Sequence, residues 1–238
     1  MRAHGVLSQY KPQVEEASEP AILFLSSFDG SDGATSATDD STFARTITFH
    51  NDAQLATAQK KFGSASLFID EFGSGYLTIP HDATLDLGAS PFTLEGFIRP
   101  ASVLVSQVIC GQADFAGTDV SWQITLSGAN FQFIYTEDGT SYVQATNFAH
   151  GMSAGGAFYH WAVTRHTDDQ LRCFIDGVLL ATVDLTGVTF HNSSLAWGIG
   201  ALSNGSLMCA GYHDEIRFLN YAEYTAGFTP PVAPFPRP

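Results

Sequence analysis

Residues 158–185 read FYHWAVTRHTDDQLRCFIDGVLLATVDL. The stretch divides into three short apolar runs, Tyr159 to Arg165, Leu171 to Ile175 and Val178 to Leu185. A polar break at His166 to Asp169 parts the first two, and Asp176-Gly177 parts the last two. Asp-Gly between apolar runs is a strong hairpin signal, because a type I′ turn needs positive φ at both central residues. The pattern predicts three consecutive antiparallel strands. Asp168, Asp169 and Asp176 are then turn-forming residues and not a site.

Outward from this hairpin the same punctuation recurs. Ala21 to Phe28 predicts a first strand, followed by the loop DGSDGATSATDDS over 29–41. Strands are predicted at Ala44 to His50, Ser64 to Ile69, Tyr76 to Ile79, Phe92 to Arg99 and Val103 to Cys110. Others follow at Ser121 to Leu126, Phe131 to Tyr135, Tyr142 to Phe148, Leu195 to Gly200 and Gly211 to Leu219. Ala53 to Lys60 reads as a turn of helix or a loop, and His81 to Ser90 as a connector. Some twelve strands separated by turn residues, without a long helix, predict an all-β fold: two antiparallel sheets stacked as a sandwich. Runs such as Val103 to Val105, apolar throughout, are expected to be buried on both faces. The predicted organisation is an N-terminal arm over 1–20, one domain over 21–229, and a Pro-rich tail over 230–238.

Composition bounds the function. The 238 residues are 45% hydrophobic and include 19 Phe, the make-up of a folded chain. Lys plus Arg is 10 against Asp plus Glu 24, a net charge of −14. With no basic run beyond Lys60-Lys61, neutralising phosphates is not signalled, which argues against nucleic acid and against anionic membranes. An acidic surface is compatible with divalent cations. Cys110, Cys173 and Cys209 are widely spaced and form no C-x-x-C pair; Cys173 reads as a small core residue. The first 20 residues hold no apolar stretch of signal-peptide length, and no window approaches a membrane span, so synthesis and folding in a cytoplasm is the expectation.

Four blocks, taken in order, resemble the concanavalin A-like lectin/glucanase superfamily. They are KFGSASLFIDEFGSGYLTIP (61–80), FTLEGFIRP (92–100), WAVTRHTDDQLRCFIDGVLLAT (161–182) and GYHDEIRFLNYAEYTAGFTPPVAPF (211–235). The nearer match is its laminin G-like branch, and the spacing fits over about 21–229. This resemblance implies a jelly-roll sandwich. The last block, through Asp214-Glu215-Ile216-Arg217 and Tyr224 to Pro231, is similar to endings of tailed-phage virion proteins; Asn220-Tyr221 and Glu223 depart from that pattern. It implies a protein of the virion surface, made in the host cytoplasm. The arm would dock on capsid or tail proteins, with a homo-oligomer as a further expectation.

Chemistry narrows this further. Glucanase relatives place an acid two residues after a Glu on one strand face. Glu15, Glu16, Glu19, Glu71, Glu95, Glu137, Glu215 and Glu223 are all without one. No nucleophile elbow, paired histidines or phosphate loop occurs, and His160 beside Trp161 reads as structural. No enzymatic activity is expected. The resemblance implies a structural Ca²⁺ at Asp29, Gly63 and Asp214. Candidate glycan contacts, aromatic faces beside polar groups in loops, are Phe115, Asp119, Tyr142, Phe148, His150 and Asn192. The expected function is a non-catalytic lectin-like capsid decoration or small appendage. The alternative is a carbohydrate-binding adhesin or a tail-fibre receptor-binding module.

Overall fold

The computed structural model describes residues 20–114 and 116–238. The N-terminal arm expected over 1–20 therefore falls, but for Pro20, outside the described residues.

The described strands are β1 (Ile22–Ser26), β2 (Thr48–His50), β3 (Gln54–Ala56), β4 (Ser66–Ile69), β5 (Tyr76–Ile79), β6 (Phe92–Pro100), β7 (Ser106–Gln112) and β8 (Trp122–Ser127). They continue with β9 (Asn130–Tyr135), β10 (Val143–Gln144), β11 (Phe148–Ala149), β12 (Tyr159–Arg165), β13 (Gln170–Ile175), β14 (Val178–Asp184), β15 (Trp197–Ile199) and β16 (Gly211–Leu219). The one helical element among them is a 3₁₀ turn at Ala83–Leu85. Two antiparallel sheets result. The first runs β14-β13-β12-β6-β16-β4-β3 with β1 also on β16, and the second runs β10-β9-β8-β7-β15-β5-β2 with β11 also on β9. This is the two-sheet jelly-roll sandwich expected.

Alternation places one face of each strand in the core between the sheets. Phe92, Leu94 and Ile98 of β6 meet Trp122, Ile124 and Leu126 of β8 and Phe131 and Phe133 of β9 there. Trp122 and Trp197 pack edge to face at 5.2 Å, and Trp197 lies 5.2 Å from Phe218. All three cysteines are free and buried, Cys173 in this core.

The opening hairpin forms as read. Asp176 has φ 47° and Gly177 φ 72°, the two positive values that a type I′ turn demands. Gly177 is also a contact point: its carbonyl accepts the Phe228 N–H at 3.0 Å, tying the turn to the C-terminal segment.

The differences from expectation have local causes. The Val103–Val105 run is not a buried strand; Leu104 is 86% and Val105 58% exposed, because the chain there crosses from β6 in one sheet to β7 in the other. The strand expected over 44–50 keeps only Thr48–His50, since Ala44 turns back at φ 47°. The 53–60 segment is neither helix nor pure loop: Gln54–Ala56 adds an edge strand to β4. The 142–148 run splits in two because the Thr146 hydroxyl accepts the Phe133 N–H at 2.7 Å and interrupts the ladder.

Strand registers define two ends. At one, Gly211 sits beside Pro100 and Ile69; at the other, Leu219 sits beside Thr93 and Ile22. The β4–β5 and β6–β7 crossovers lie at the Gly211 end. Ile79, Gln112 and Trp197 therefore fall toward the Leu219 end.

A Cβ at residue 177 would lie 1.9 Å from the Phe228 carbonyl oxygen, whereas one at Gly187 (φ 78°) would meet nothing within 4 Å. Gly177→Ala is therefore expected to lower unfolding stability by at least about 2 kcal/mol, and Gly187→Ala by only about 1. Denaturant melts of the two variants check the difference.

Candidate functional site

Strand β16 carries His213, Asp214, Glu215 and Arg217, all with less than a tenth of their surface exposed. A bulge between Asp214 and Arg217, with Glu215 at φ 49°, lets the strand change neighbour from β4 to β1. The two acids sit at that switch. Asp214 Oδ2 accepts the N–H groups of Lys61 (2.7 Å) and Phe62 (3.1 Å). Its Oδ1 is buried without a partner, and burial pushes its pKa up to about 7. Glu215 Oε2 accepts the Phe235 N–H at 3.0 Å. Burial raises the Glu215 pKa as well.

Asp29 grips the same loop that Asp214 grips, its Oδ1 accepting the Ser64 N–H and, at 3.0 Å, the Ser64 hydroxyl. A Cβ at residue 63 would fall 2.0 Å from Asp29 Oδ1, so only glycine fits there, at φ 61°. The structure thus gathers Asp29, Gly63 and Asp214 around residues 61–64. Two of the carboxylate oxygens already face backbone N–H donors. Among the described residues no group of three or more His, Cys, Asp or Glu side chains converges to hold a metal. Two oxygens are left over: Asp29 Oδ2, on an exposed residue, and Asp214 Oδ1, a buried acceptor of the kind a hard cation takes.

The outer face of the first sheet holds a second buried constellation. Glu95 Oε1 accepts Arg217 Nε at 2.8 Å and also Arg217 Nη2; Oε2 faces His160 Nε2 at 3.1 Å and accepts the Tyr224 hydroxyl at 2.9 Å. Burial raises the carboxyl pKa, but the His160 and Arg217 contacts outweigh it and hold it below the ordinary range. Tyr224 and Phe228 stack at 3.6 Å above, and Phe235 packs on Phe97 and His160. His160 is structural, and the Pro-rich stretch over 230–238 contributes a buried Phe235. Glu95 faces protein donors on every side.

The candidate glycan contacts separate. Asp119, Tyr142 and Asn192 fall toward the Leu219 end. Asp119 Oδ1 faces His191 Nε2 at 2.8 Å, and its Oδ2 accepts the Ser194 hydroxyl (2.6 Å) and N–H (3.0 Å). Burial raises the Asp119 pKa, yet these bonds prevail and hold it low. Tyr142 is half exposed, and its hydroxyl lies 3.2 Å from where a Cβ on Gly117 would be. Asn192 is exposed. Phe148 pairs with Phe131, and His150, buried, is held by Gly128 O (3.0 Å) and the Met152 N–H (2.8 Å); both lie toward the opposite end. Phe115 lies outside the described residues.

A site that the sequence did not signal is a shallow cleft of about 340 Å³, between residues 43–46 and 80–82 and also toward the Leu219 end. Its walls come from segments far apart in the chain. The one hint in the sequence is an arginine among only ten basic residues.

A model of the concanavalin A-like lectin/glucanases superfamily matches residues 72–224, and the chain belongs to that superfamily. No curated protein sequence matches the chain. Among solved structures it is similar to the binding domain of Paraclostridial Mosquitocidal Protein 1 (TM-score 0.65, 11% identity, 86% of this chain and 50% of that one). It is similar also to botulinum neurotoxin type C, whose cell entry depends on interaction with two ganglioside molecules (TM-score 0.60, 13%, 86% and 49%). A third is the binding domain of botulinum neurotoxin DC in complex with rat synaptotagmin II (TM-score 0.62, 12%, 86% and 49%). The chain spans about half the length of these structures. At such identities the likeness is one of fold, a lectin-like fold that these binding domains share. Among the described residues no helix is long and apolar enough to cross a membrane.

A buried aspartate with a raised pKa has a defined pH signature. Its native state keeps a proton that the unfolded chain releases from about pH 4. The stability this contributes is full below that pH and is lost as pH rises to about 7. In EGTA, Asp214→Asn is expected to gain stability relative to wild type by up to about 4 kcal/mol between pH 4 and pH 8. Paired urea melts across that range measure it.

Proposed function

We propose that this chain is a non-catalytic, lectin-like structural protein carried on the surface of a tailed-phage particle, and that its surface role includes glycan recognition. The observation that carries the reading is the C-terminal block. The residues similar to phage virion endings are here β16 and the segment that closes the outer face of the first sheet. Two further points support it. Glu95, Asp214 and Glu215, the buried acids of this face, are held by the protein's own donors, which suits scaffolding better than hydrolysis. The structures it resembles include ones that engage gangliosides or a protein receptor, which favours recognition over catalysis. The partner through residues 1–20 is a capsid or tail protein, and several copies assemble on the particle.

Mass spectrometry of purified particles tests the reading. This chain is expected at high, regular copy number, and its absence from particles refutes the virion role. Glycan-array binding by the isolated protein tests the recognition half.

We propose also that Ca²⁺ is held structurally through Asp214, Asp29 and backbone carbonyls near Gly63. Its charge would stabilise the unpaired Asp214 Oδ1 as carboxylate. Removing calcium with EGTA at pH 7.5 is expected to lower the melting midpoint by several degrees, about 1–3 kcal/mol of linkage. An unchanged midpoint excludes the ion.

A further inference from the structure

Both sheets end on one flank of the sandwich, and that flank is left open. β14 is the last strand of the first sheet, and β10 and β11 end the second. β11 lies against β14, so the two edges run together. Of ten large hydrophobic side chains exposed among the described residues, five are here: Tyr142, Val143, Phe148, Val178 and Leu179. Val178 is 62% exposed and Leu179 40%. Apolar clusters of this kind mark contact with another molecule.

The backbone points the same way. A strand paired on one side only presents a row of free N–H and C=O groups, and folds guard such edges by cover, brevity, Lys or Pro. Elsewhere the chain does so. In β3, Leu55 O accepts the Gly33 N–H at 2.8 Å and the Leu55 N–H donates to Ala34 O at 2.7 Å; in β1, Leu25 O accepts the Asp40 N–H at 2.7 Å. β2, β10 and β11 have only two or three residues each. β14 has seven, pairs only with β13, and in VLLATVD carries neither Lys nor Pro. Its one irregularity is the bulge that passes over Leu180. Val178–Leu179 and Ala181–Asp184 keep their register with β13 on either side of it.

Composition selects the occupant. Residues 139–149 and 177–183 contain no Asp, Glu, Lys or Arg, in a chain of net charge −14. A basic partner would find its attraction on the acidic surface elsewhere, whereas two acidic copies meet at this flank without opposing carboxylates. A long open edge is matched by another, and among the described residues that edge is β14 itself. Asp184, the one charge of the strand, stands at its end. Antiparallel pairing about a two-fold axis sets the two Asp184 residues about 20 Å apart. That exceeds the screening length of about 8 Å at physiological salt. We propose that β14 pairs antiparallel with β14 of a second copy, joining the two first sheets edge to edge, with Val143 and Phe148 beside the join. The proposal gives the assembly in the reading above its contact surface, and it rests on that reading for the setting in which copies meet. One strand pair and its margins bury less than the roughly 800 Å² per partner of a standard interface. The contact is therefore weak in solution and is strengthened where copies are held side by side.

Sedimentation velocity of the full chain, from about 5 µM to about 1 mM, is expected to show a monomer–dimer equilibrium centred near about 100 µM. Hydrogen exchange over the same range is expected to slow at residues 178–184 as concentration rises. Val178→Lys and Thr182→Lys each alter an exposed residue, so melting midpoints should hold while each weakens the dimer about tenfold or more. Phe72→Ser, at the Gly211 end, should leave the dimer unchanged. A monomer throughout overturns the proposal. So does a dimer that both lysine variants retain, or slowed exchange confined to another surface. Exchange slowed at residues 1–19 together with β14 also overturns it, because the arm then takes the edge. Presence in particles is read separately. A monomer found in particles at regular copy number overturns this contact alone, and a dimer absent from particles overturns the virion reading alone.

Discussion

The buried ion pair between Glu95 and Arg217 organises the first sheet. Both groups lie on the outer face, where a strand would ordinarily meet water, and both are shielded from it. Leaving either charge there alone would cost about 3–5 kcal/mol. The chain must therefore bring other groups over the pair, and the residues after β16 do so with Tyr224, Phe228 and Phe235. The Arg172–Asp168 pair, by contrast, has its carboxylate in water, where screening leaves it little stabilising effect. The adjacent acids on β16 extend the same logic. Asp214 fixes the turn before β4, and Glu215 fixes the chain end at Phe235. Polar satisfaction, more than apolar contact, tells these distant segments where to lie.

One consequence concerns recognition. With its outer face filled by the protein's own C-terminal segment, the middle of the first sheet presents no open groove at Glu95, Phe97 or His160. The Leu219 end gathers the Asp119–His191 loops and the Arg45 cleft. The Gly211 end presents Phe72 and Leu104, 95% and 86% exposed. The opening hairpin has its Asp168–Asp169 turn toward the Leu219 end and its Asp176 turn toward the Gly211 end, and its three aspartates accept from nearby N–H groups or pair with Arg165 and Arg172.

How much of this was legible in the sequence depended on how local the cause was. Asp176-Gly177 announces its own geometry, and Gly211 to Leu219 is bounded as observed because glycine starts it and Asn220 ends it. The 53–60 segment carries no such signal; its strand exists only because β4 offers an edge. Val103–Val105 shares the composition of a buried strand but falls where the chain must change sheets. The site follows the same rule. Asp29, Gly63 and Asp214 were named from a resemblance that encodes the tertiary arrangement, and the structure does bring them to one loop. Tyr142 and Phe148 were named from composition, and the length of β9 separates them. Arg45 was missed because its partners Asp82 and Thr84 reach it from 37 and 39 residues away.

The acidity of the chain invites a reading as cation chemistry, yet the structure gives part of it another origin. Short connections between many strands leave backbone N–H groups unpaired, and the shortest side chain able to accept from a residue two or three positions on is aspartate. Asp70 accepts from Phe72, Asp82 from Thr84, Asp114 from Gly117, Asp138 from Thr140 and Ser141, Asp168 from Gln170 and Asp184 from Thr186. At Asp82, Asp138, Asp168 and Asp184 those bonds favour the charged form; the Asp168 pKa falls to about 2, through the Arg172 contact first and the Gln170 N–H next. Six of the chain's 24 acids are thus occupied in closing turns. What distinguishes Asp214 from these aspartates is burial with one oxygen unpaired, and what distinguishes Arg45 is the same condition with the sign reversed. Other buried polar atoms also lack a partner, among them Gln112 Oε1, Arg165 Nε and His213 Nδ1, but among the described residues Asp214 Oδ1 is the one carboxylate oxygen in that condition.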